Sequence, residues 1–289
     1  MQSMTSTTAS GPLANTPSQP WGHFAPSSVV ERLRGFSSAR SQGYLGKRLA
    51  FLTRKLAMNG LAECVDVEVF GYRMRIEPFT NLAEKRVLFT PQYFDPVERD
   101  WLKRILPADA VFIDIGANVG AYSFFAASCV GPTARIIALE PQPDIFRRLT
   151  ENLAFNPGVP IEAVQLAVAD VEGTIQLFLD HNNAGESSMR RIASHSERAG
   201  AIDVEAKPLA QIVAERDLPR IDALKIDIEG AEDLALVPFF ESASEALFPT
   251  LMIIENSPES WQTDCIALAR RHGYQVVAET RLNVVLMRG

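Results

Sequence analysis

Cysteine is scarce in this chain of 289 residues: Cys64, Cys129 and Cys265 are three in number, far apart, and fit no metal-ligand spacing. That excludes a disulfide framework or a zinc cluster as the organising element, and the three read as buried free thiols of a reducing compartment. A run of about 18 uninterrupted apolar residues is also lacking, so no membrane-spanning helix is expected. The first thirty residues lack a basic start followed by an apolar core and a small-residue cleavage site, and a soluble cytoplasmic protein is expected. With 47% apolar and 22% charged residues, wholesale disorder, collagen-like repeats and coiled coil are excluded. The length suits one large domain, or at most two.

Acid is nearly missing from one end. Residues 1–60 hold seven basic groups (Arg32, Arg34, Arg40, Lys47, Arg48, Arg54, Lys55) against Glu31 alone, a net of +6, so with −7 overall the remainder carries −13. An acidic body offers no basic face for phosphates, and no nucleic-acid partner is expected. The preferred reading of the basic head is an apolar stripe packed on its own domain with lysines and arginines in water. The alternative is a peripheral contact of residues 29–58 with an anionic surface.

Residues 1–28 are Ser, Thr, Pro, Ala and Gly around Trp21 and Phe24, a composition expected of a flexible tail. A basic helical segment follows over 29–60, with Leu45, Leu49, Leu52 and Leu56 at helical spacing and Gly35, Gly43 and Gly46 dividing it into two short helices. The main domain is expected over 61–289. It opens with a hairpin, Val65, Val67 and Val69 against Met74 and Ile76, turning at Gly71-Tyr72. A helix over 95–106 should start on Asp95 as N-cap, with Pro96 at the first position and Glu98 reaching back in a capping box.

From 111 onward short apolar strands alternate with helices. Strands are expected at 111–115, 135–140, 161–167, 221–227, 249–255, 274–279 and 283–288, and helices at about 119–129, 143–155, 231–238 and 259–271. Strands buried on both faces with helical crossovers make a parallel α/β sheet. Only Thr280, Arg281 and Leu282 join the last two strands, too few for a crossover helix, so that pair must be antiparallel. The segment 172–207 breaks the alternation with an expected hairpin at Thr174–Asp180 and a polar stretch suited to a substrate lid.

The strongest motif is Asp114-Ile115-Gly116-Ala117-Asn118-Val119-Gly120, closing the first strand and opening a helix. Glycines there permit a sharp turn and a close backbone approach to a ligand. Glu140 ends the next strand 24 residues after Gly116, where a carboxylate can accept both hydroxyls of a ribose. Charge then selects the cofactor. A pyrophosphate would be repelled by Asp114, and the middle glycine of the dinucleotide pattern is absent. The ammonium and sulfonium of S-adenosylmethionine would be favoured by the same anion.

VFIDIGANVGAYS, IIALEPQP, LAVADVEG and LKIDIEGAED, in that order, resemble the FkbM family of S-adenosylmethionine-dependent methyltransferases over about 85–289. The resemblance implies a Rossmann-like class I fold: a mostly parallel seven-stranded sheet with an antiparallel last strand and helices on both faces. It implies O-methylation of a hydroxyl on a sugar, glycolipid or other natural product. It places Asp114, Gly116, Asn118, Gly120 and Ser123, with Ala117 in the same turn, around the methionine part, Glu140 on the ribose and Asp170 near the adenine.

A hydroxyl is a weak nucleophile that needs a base or a metal. Asp227, Glu229 and Glu255 stand at the ends of the fourth and fifth strands, with Lys225 at the same parity as a partner and Glu232 and Asp233 close behind. Either Asp227 or Glu229 accepts the proton directly, or Asp227, Glu255 and Asn256 hold a Mg2+-like ion, an arrangement similar to that of catechol-type O-methyltransferases. His181 and His195 read as loop residues that could serve as alternative bases, Ser187 and Ser188 as lid polarity or substrate contacts, and His272 as structural. Two other classes stay open: an NAD(P)-dependent oxidoreductase on a similar sheet, and a non-catalytic binding module.

Overall fold

The computed structural model describes residues 19–39, 43–58, 60–179, 187–188 and 200–289. Two helices packed on each other, α1 (Ser28–Ser38) and α2 (Tyr44–Met58), precede a hairpin of β1 (Val65–Val69) and β2 (Tyr72–Ile76). The hairpin turns on Phe70 and Gly71, one position earlier than expected. Both have positive φ (55° and 85°), the pair a tight two-residue turn requires, and this sets Val69 against Tyr72. Residues 19–24 are strapped to the hairpin: Gly22 and Phe24 donate their N–H groups to Asp66, and Arg75 holds Asp66 at 2.7 Å and Glu151 at 2.6 Å. The end of the expected tail is therefore anchored, and residues 1–18 lie outside the described residues.

The two helices meet the expectation of a break near Gly43, but not that of their buried face. Helix α2 packs Gly46, Ala50 and Ala57 inward, while Leu45, Leu49, Leu52 and Leu56 are 73%, 45%, 55% and 55% exposed. The small residues win the inner position because they let two helix backbones approach closely.

After α3 (Leu82–Phe89) comes α4 (Pro96–Ile105). Its expected capping box does not form. Asp95 is left-handed (φ 38°) and its carboxylate accepts instead from Arg86 (2.8 Å) and the Tyr122 hydroxyl (3.0 Å). Glu98 is buried against Thr280 and Asn283. Both acids are taken by tertiary partners that local spacing cannot show.

The seven-stranded sheet contains β3 (Val111–Ile115), β4 (Arg135–Leu139), β5 (Ile161–Val164), β10 (Ala223–Ile226), β11 (Leu251–Glu255), β12 (Tyr274–Glu279) and β13 (Asn283–Arg288), in the order β12-β13-β11-β10-β3-β4-β5. Strands β3, β4, β5, β10 and β11 are parallel, and β13 runs antiparallel between β11 and β12. Each strand sends alternate side chains to two cores. Val111, Ile113 and Ile115 meet α7 (Leu209–Glu215), α8 (Glu232–Ser242) and α9 (Cys265–Arg271). Phe112, Ile136 and Ile253 meet the hairpin, α3, α4, α5 (Ala121–Ala127) and α6 (Pro143–Ala154).

The strand expected over 161–167 is two. Its end, β6 (Ala167–Val168), leaves the sheet edge and pairs with β9 (Ala201–Lys207), which also pairs antiparallel with β7 (Gly173–Leu179); β8 (Ser187–Ser188) completes this second sheet. The helix expected from 259 starts at Cys265, because Asp233 first captures the N–H groups of Gln262 and Thr263 and Asp264 then caps it. Cys64, Cys129 and Cys265 are free thiols, of which only Cys265 is fully buried. His181 and His195 lie outside the described residues. His272 stacks on Phe240 at the end of α9.

Candidate active site

The carboxyl ends of β3, β4, β10 and β11 open into one cavity of about 250 Å³, at the place where the strand order reverses between β3 and β10. On one side it is lined by Gly116, Ala117, Asn118 and Glu140, and on the other by Lys225, Asp227, Glu229 and Glu255. Two distant stretches of sequence thus face each other across one space.

The first turn is shaped by contact as much as by flexibility. Gly116 has φ +72°, and a Cβ there would lie 1.9 Å from the Asp227 carbonyl oxygen, so glycine lets the β3 and β10 ends touch. Asn118 is also left-handed (φ 52°), with its side-chain oxygen accepting from Asn81 and from the Val119 N–H. Its own N–H donates to Glu140 Oε2 at 2.9 Å, while Oε1 accepts from the Gln142 N–H at 3.0 Å. Burial pushes the Glu140 carboxyl up to about 7 against those two donors. Glu140 lines the cavity, and Leu166, Ala167 and Val168 supply apolar lining as well. This set fits a ribose and an adenine.

Asp114 does not stand where the sequence placed it. It is fully buried behind the cavity wall, accepting from Ser123 Oγ at 2.6 Å, with Lys225 Nζ 3.8 Å from its other oxygen. The reason is register: Asp114 and Lys225 are paired neighbours on β3 and β10. The cross-strand ammonium attracts this buried anion away from the site, although at 3.8 Å it leaves Asp114 Oδ1 without a hydrogen bond. Gly120 and Ser123 also sit behind the lining. Gly120 makes room for Leu149 and Phe124 at φ +94°, and Asp170 is exposed and away from the cavity.

Lys225 joins the two halves. Its Nζ donates to the Gly116 carbonyl (3.1 Å) and approaches Asp227 Oδ2 (3.2 Å) as well as Asp114. Burial works against the ammonium, yet Asp227 and Asp114 hold it above its usual value, whereas burial holds Asp114 itself above the ordinary carboxylate range. Shared between two carboxylates, Lys225 stays charged. The Asp227–Lys225 pairing expected from parity is present, although the strand ends at Ile226 and Glu229 sits in a turn at φ 55°.

The expected Mg2+ ion finds no support in the structure. Among the described residues no group of three or more His, Cys, Asp or Glu is placed to hold a metal ion. Lys225 Nζ stands 3.2 Å from Asp227 Oδ2, and Asn256 is not on the lining; its backbone N–H donates to the Leu282 carbonyl. Glu232 is drawn out of the acid corner too. It accepts from the N–H groups of Ile228 and Gly230 and from Trp261 (2.6 Å), which fixes the turn that carries Glu229.

Glu255, on the lining, has a carboxylate oxygen, Oε2, that is buried and without a hydrogen bond, as has Asp114 Oδ1 behind the wall; Glu255 Oε1 accepts from Ser257 at 2.8 Å. Burial first, and then the Asp227 carboxylate, push it up to about 8. Sequence spacing missed Asn81, Arg86, Asp95, Tyr122 and Asn283, which complete the wall from the α3, α4, α5 and β13 regions. Apart from Tyr122, they lie outside the motifs and share no spacing with them, so no local signal marked them.

A central parallel sheet with a reversed β13, helices on both faces and a cavity at the switch point is the class I Rossmann-like methyltransferase fold. Residues 114–276 match the Methyltransferase FkbM domain model, more than half of the chain, and the chain belongs to that family. It is 29% identical over 233 residues to AMB antimetabolite synthetase AmbE of Pseudomonas aeruginosa, covering 68% of this chain and 11% of that protein. To methyltransferase sdnD of Sordaria araneosa it is 32% identical over 154 residues, 44% of this chain and 59% of the relative. To 31-O-demethyl-FK506 methyltransferase FkbM of Streptomyces tacrolimicus it is 26% identical over 225 residues, 69% and 85% of the two chains. The chain thus spans about a tenth and about six-tenths of the first two relatives. A crystal structure of methyltransferase FkbM from Methylobacillus flagellatus aligns with a TM-score of 0.39 at 14% identity, covering 71% of this chain and 54% of that one.

Proposed function

We propose that the protein transfers a methyl group from S-adenosylmethionine to a hydroxyl of a sugar, glycolipid or other natural product. One observation carries this reading: a single cavity bounded on one side by the Gly116–Asn118 turn with Glu140, and on the other by the Asp227–Glu229–Glu255 acids. The relatives named as methyltransferases of 31-O-demethyl-FK506, of a hexuronic acid and of a 2-O position support hydroxyl acceptors.

Bound S-adenosylmethionine supplies a methyl on a sulfonium and a neutral sulfur leaving group, and therefore an in-line displacement. Glu140 binds the ribose hydroxyls, Gly116, Ala117 and Asn118 bound the methionine end, and Leu166–Val168 cover the base. Asp114 and Ser123 act through Lys225 as positioning residues. Glu255 would take up the acceptor's hydroxyl proton. A carboxylate lifted to about 8 is a far better match to that task than an ordinary one. Asp227, pinned by Lys225, orients the acceptor and keeps Glu255 basic.

Titration calorimetry with S-adenosylhomocysteine and, separately, NAD tests the donor. Binding of S-adenosylhomocysteine is expected, and binding of NAD alone overturns the reading. Mass spectrometry of a hydroxyl-acceptor panel, with and without chelator, then tests the acceptor class; a gain of one methyl group unaffected by chelator is expected.

A further inference from the structure

Helix α2 buries its small residues and presents its large ones. At 3.6 residues per turn, Leu45, Leu49, Leu52 and Leu56 fall within about 60° of one another and run for about 16 Å along the helix. All four are between 45% and 73% exposed, and Tyr44 (71%) and Phe51 (44%) extend the apolar surface around the helix. Between the leucines and the two aromatics project Arg48 and Lys55, Arg48 lying over the Tyr44 ring at 5.3 Å. No acidic residue occurs from Arg32 to Ala62.

That charge pattern decides the occupant. A second copy docked leucine to leucine would bring Arg48 and Lys55 of both copies together with no acid on either helix to pair them. An anionic bilayer satisfies both features at once, since acyl chains take the leucines while cations at the stripe's edge reach anionic headgroups. We propose that α2 lies in the plane of an anionic membrane surface as a peripheral docking helix. Its inner contacts set what the docked helix carries. Phe51 and Lys47 rest on the Tyr93 ring (6.3 and 5.8 Å), and the chain continues at once into Phe94 and Asp95 on the cavity wall. Docking therefore holds the cavity beside the lipid surface. The attachment needs no methyl transfer, so it stands or falls independently of the proposed reaction.

Sedimentation of the full chain with vesicles tests it. Binding is expected to phosphatidylglycerol–phosphatidylcholine vesicles, to weaken as salt rises, and to be near absent with phosphatidylcholine alone. The double change Leu49→Glu with Leu56→Glu should lower the partition at least about tenfold, and Lys55→Gln should lower it about fivefold. Both variants should bind S-adenosylhomocysteine or, should the chain bind none, melt like the parent, which shows that the fold is retained. No binding to anionic vesicles, or binding unchanged by the leucine pair, overturns the proposal. So does light scattering that shows a dimer dissolved by Leu49→Glu, which would assign the stripe to a second copy.

Discussion

Lys225 shows how much a single side chain can decide. It lies between Asp114 and Asp227 and bonds the Gly116 carbonyl, so three positions share one ammonium. Lys225→Met should cost about 3–5 kcal/mol of stability in urea unfolding, because it leaves Asp114 buried and unpaired. Adding Asp114→Asn should recover part of that loss; a purely additive double variant would show that the two do not interact. Gly116→Ala should be severe for another reason. Its Cβ would collide with the Asp227 backbone at 1.9 Å, and loss of S-adenosylhomocysteine binding together with a lower melting temperature is expected. Glu255→Gln keeps the shape and removes the proton acceptor, so methyl transfer should fall by about 10²–10⁴-fold with donor affinity retained. In the parent enzyme the rate should rise with pH until Glu255 is ionised.

Among the elements, the turn between β10 and α8 carries Asp227 and Glu229, and its conformation comes from elsewhere in the chain. Glu232 closes it by accepting from Ile228 and Gly230, and Trp261, from the loop before α9, holds Glu232. Trp261→Phe keeps most of the apolar volume but removes that donor. We expect a loss of about 1–3 kcal/mol in stability and a larger KM for the acceptor, read by urea unfolding and steady-state kinetics. Helix boundaries at 143–154, and the strands at 111–115, 274–279 and 283–288, were legible because buried periodicity and start and stop residues agree there. The Asp95 cap and the 161–167 strand were not. In both, a distant partner outcompetes the local pattern: Arg86 and Tyr122 for Asp95, β9 for the Ala167–Val168 end.

For the whole molecule, raised carboxyls link stability to pH, Glu140 and Glu255 among them. Glu140 at about 7 and Glu255 at about 8 keep protons in the folded state that the unfolded chain releases near 4.5. The stability this confers is complete below about pH 4.5 and is lost as pH rises through 7 and 8. The melting temperature of the ligand-free protein should accordingly fall between about pH 6 and 8.5, and Glu255→Gln should flatten the decline; an unchanged slope would remove Glu255 as its source. The charge asymmetry acts at this scale too: residues 1–60 carry +6 and the remainder −13, an imbalance on which the proposed membrane attachment draws.

The alternation of the main-sheet strands with α5, α6, α8 and α9, the reversed final pair and the Gly116 turn were settled by the sequence, because each depends on periodicity, connection length or residue type within a short window. Tertiary structure alone decided where charge ended up. Cross-strand register turned Asp114 toward Lys225, the Trp261 loop withdrew Glu232, and the small face of α2 went inward, leaving its leucines outside. Electrostatic and packing partners are chosen in three dimensions, and the local chain carries no record of that choice.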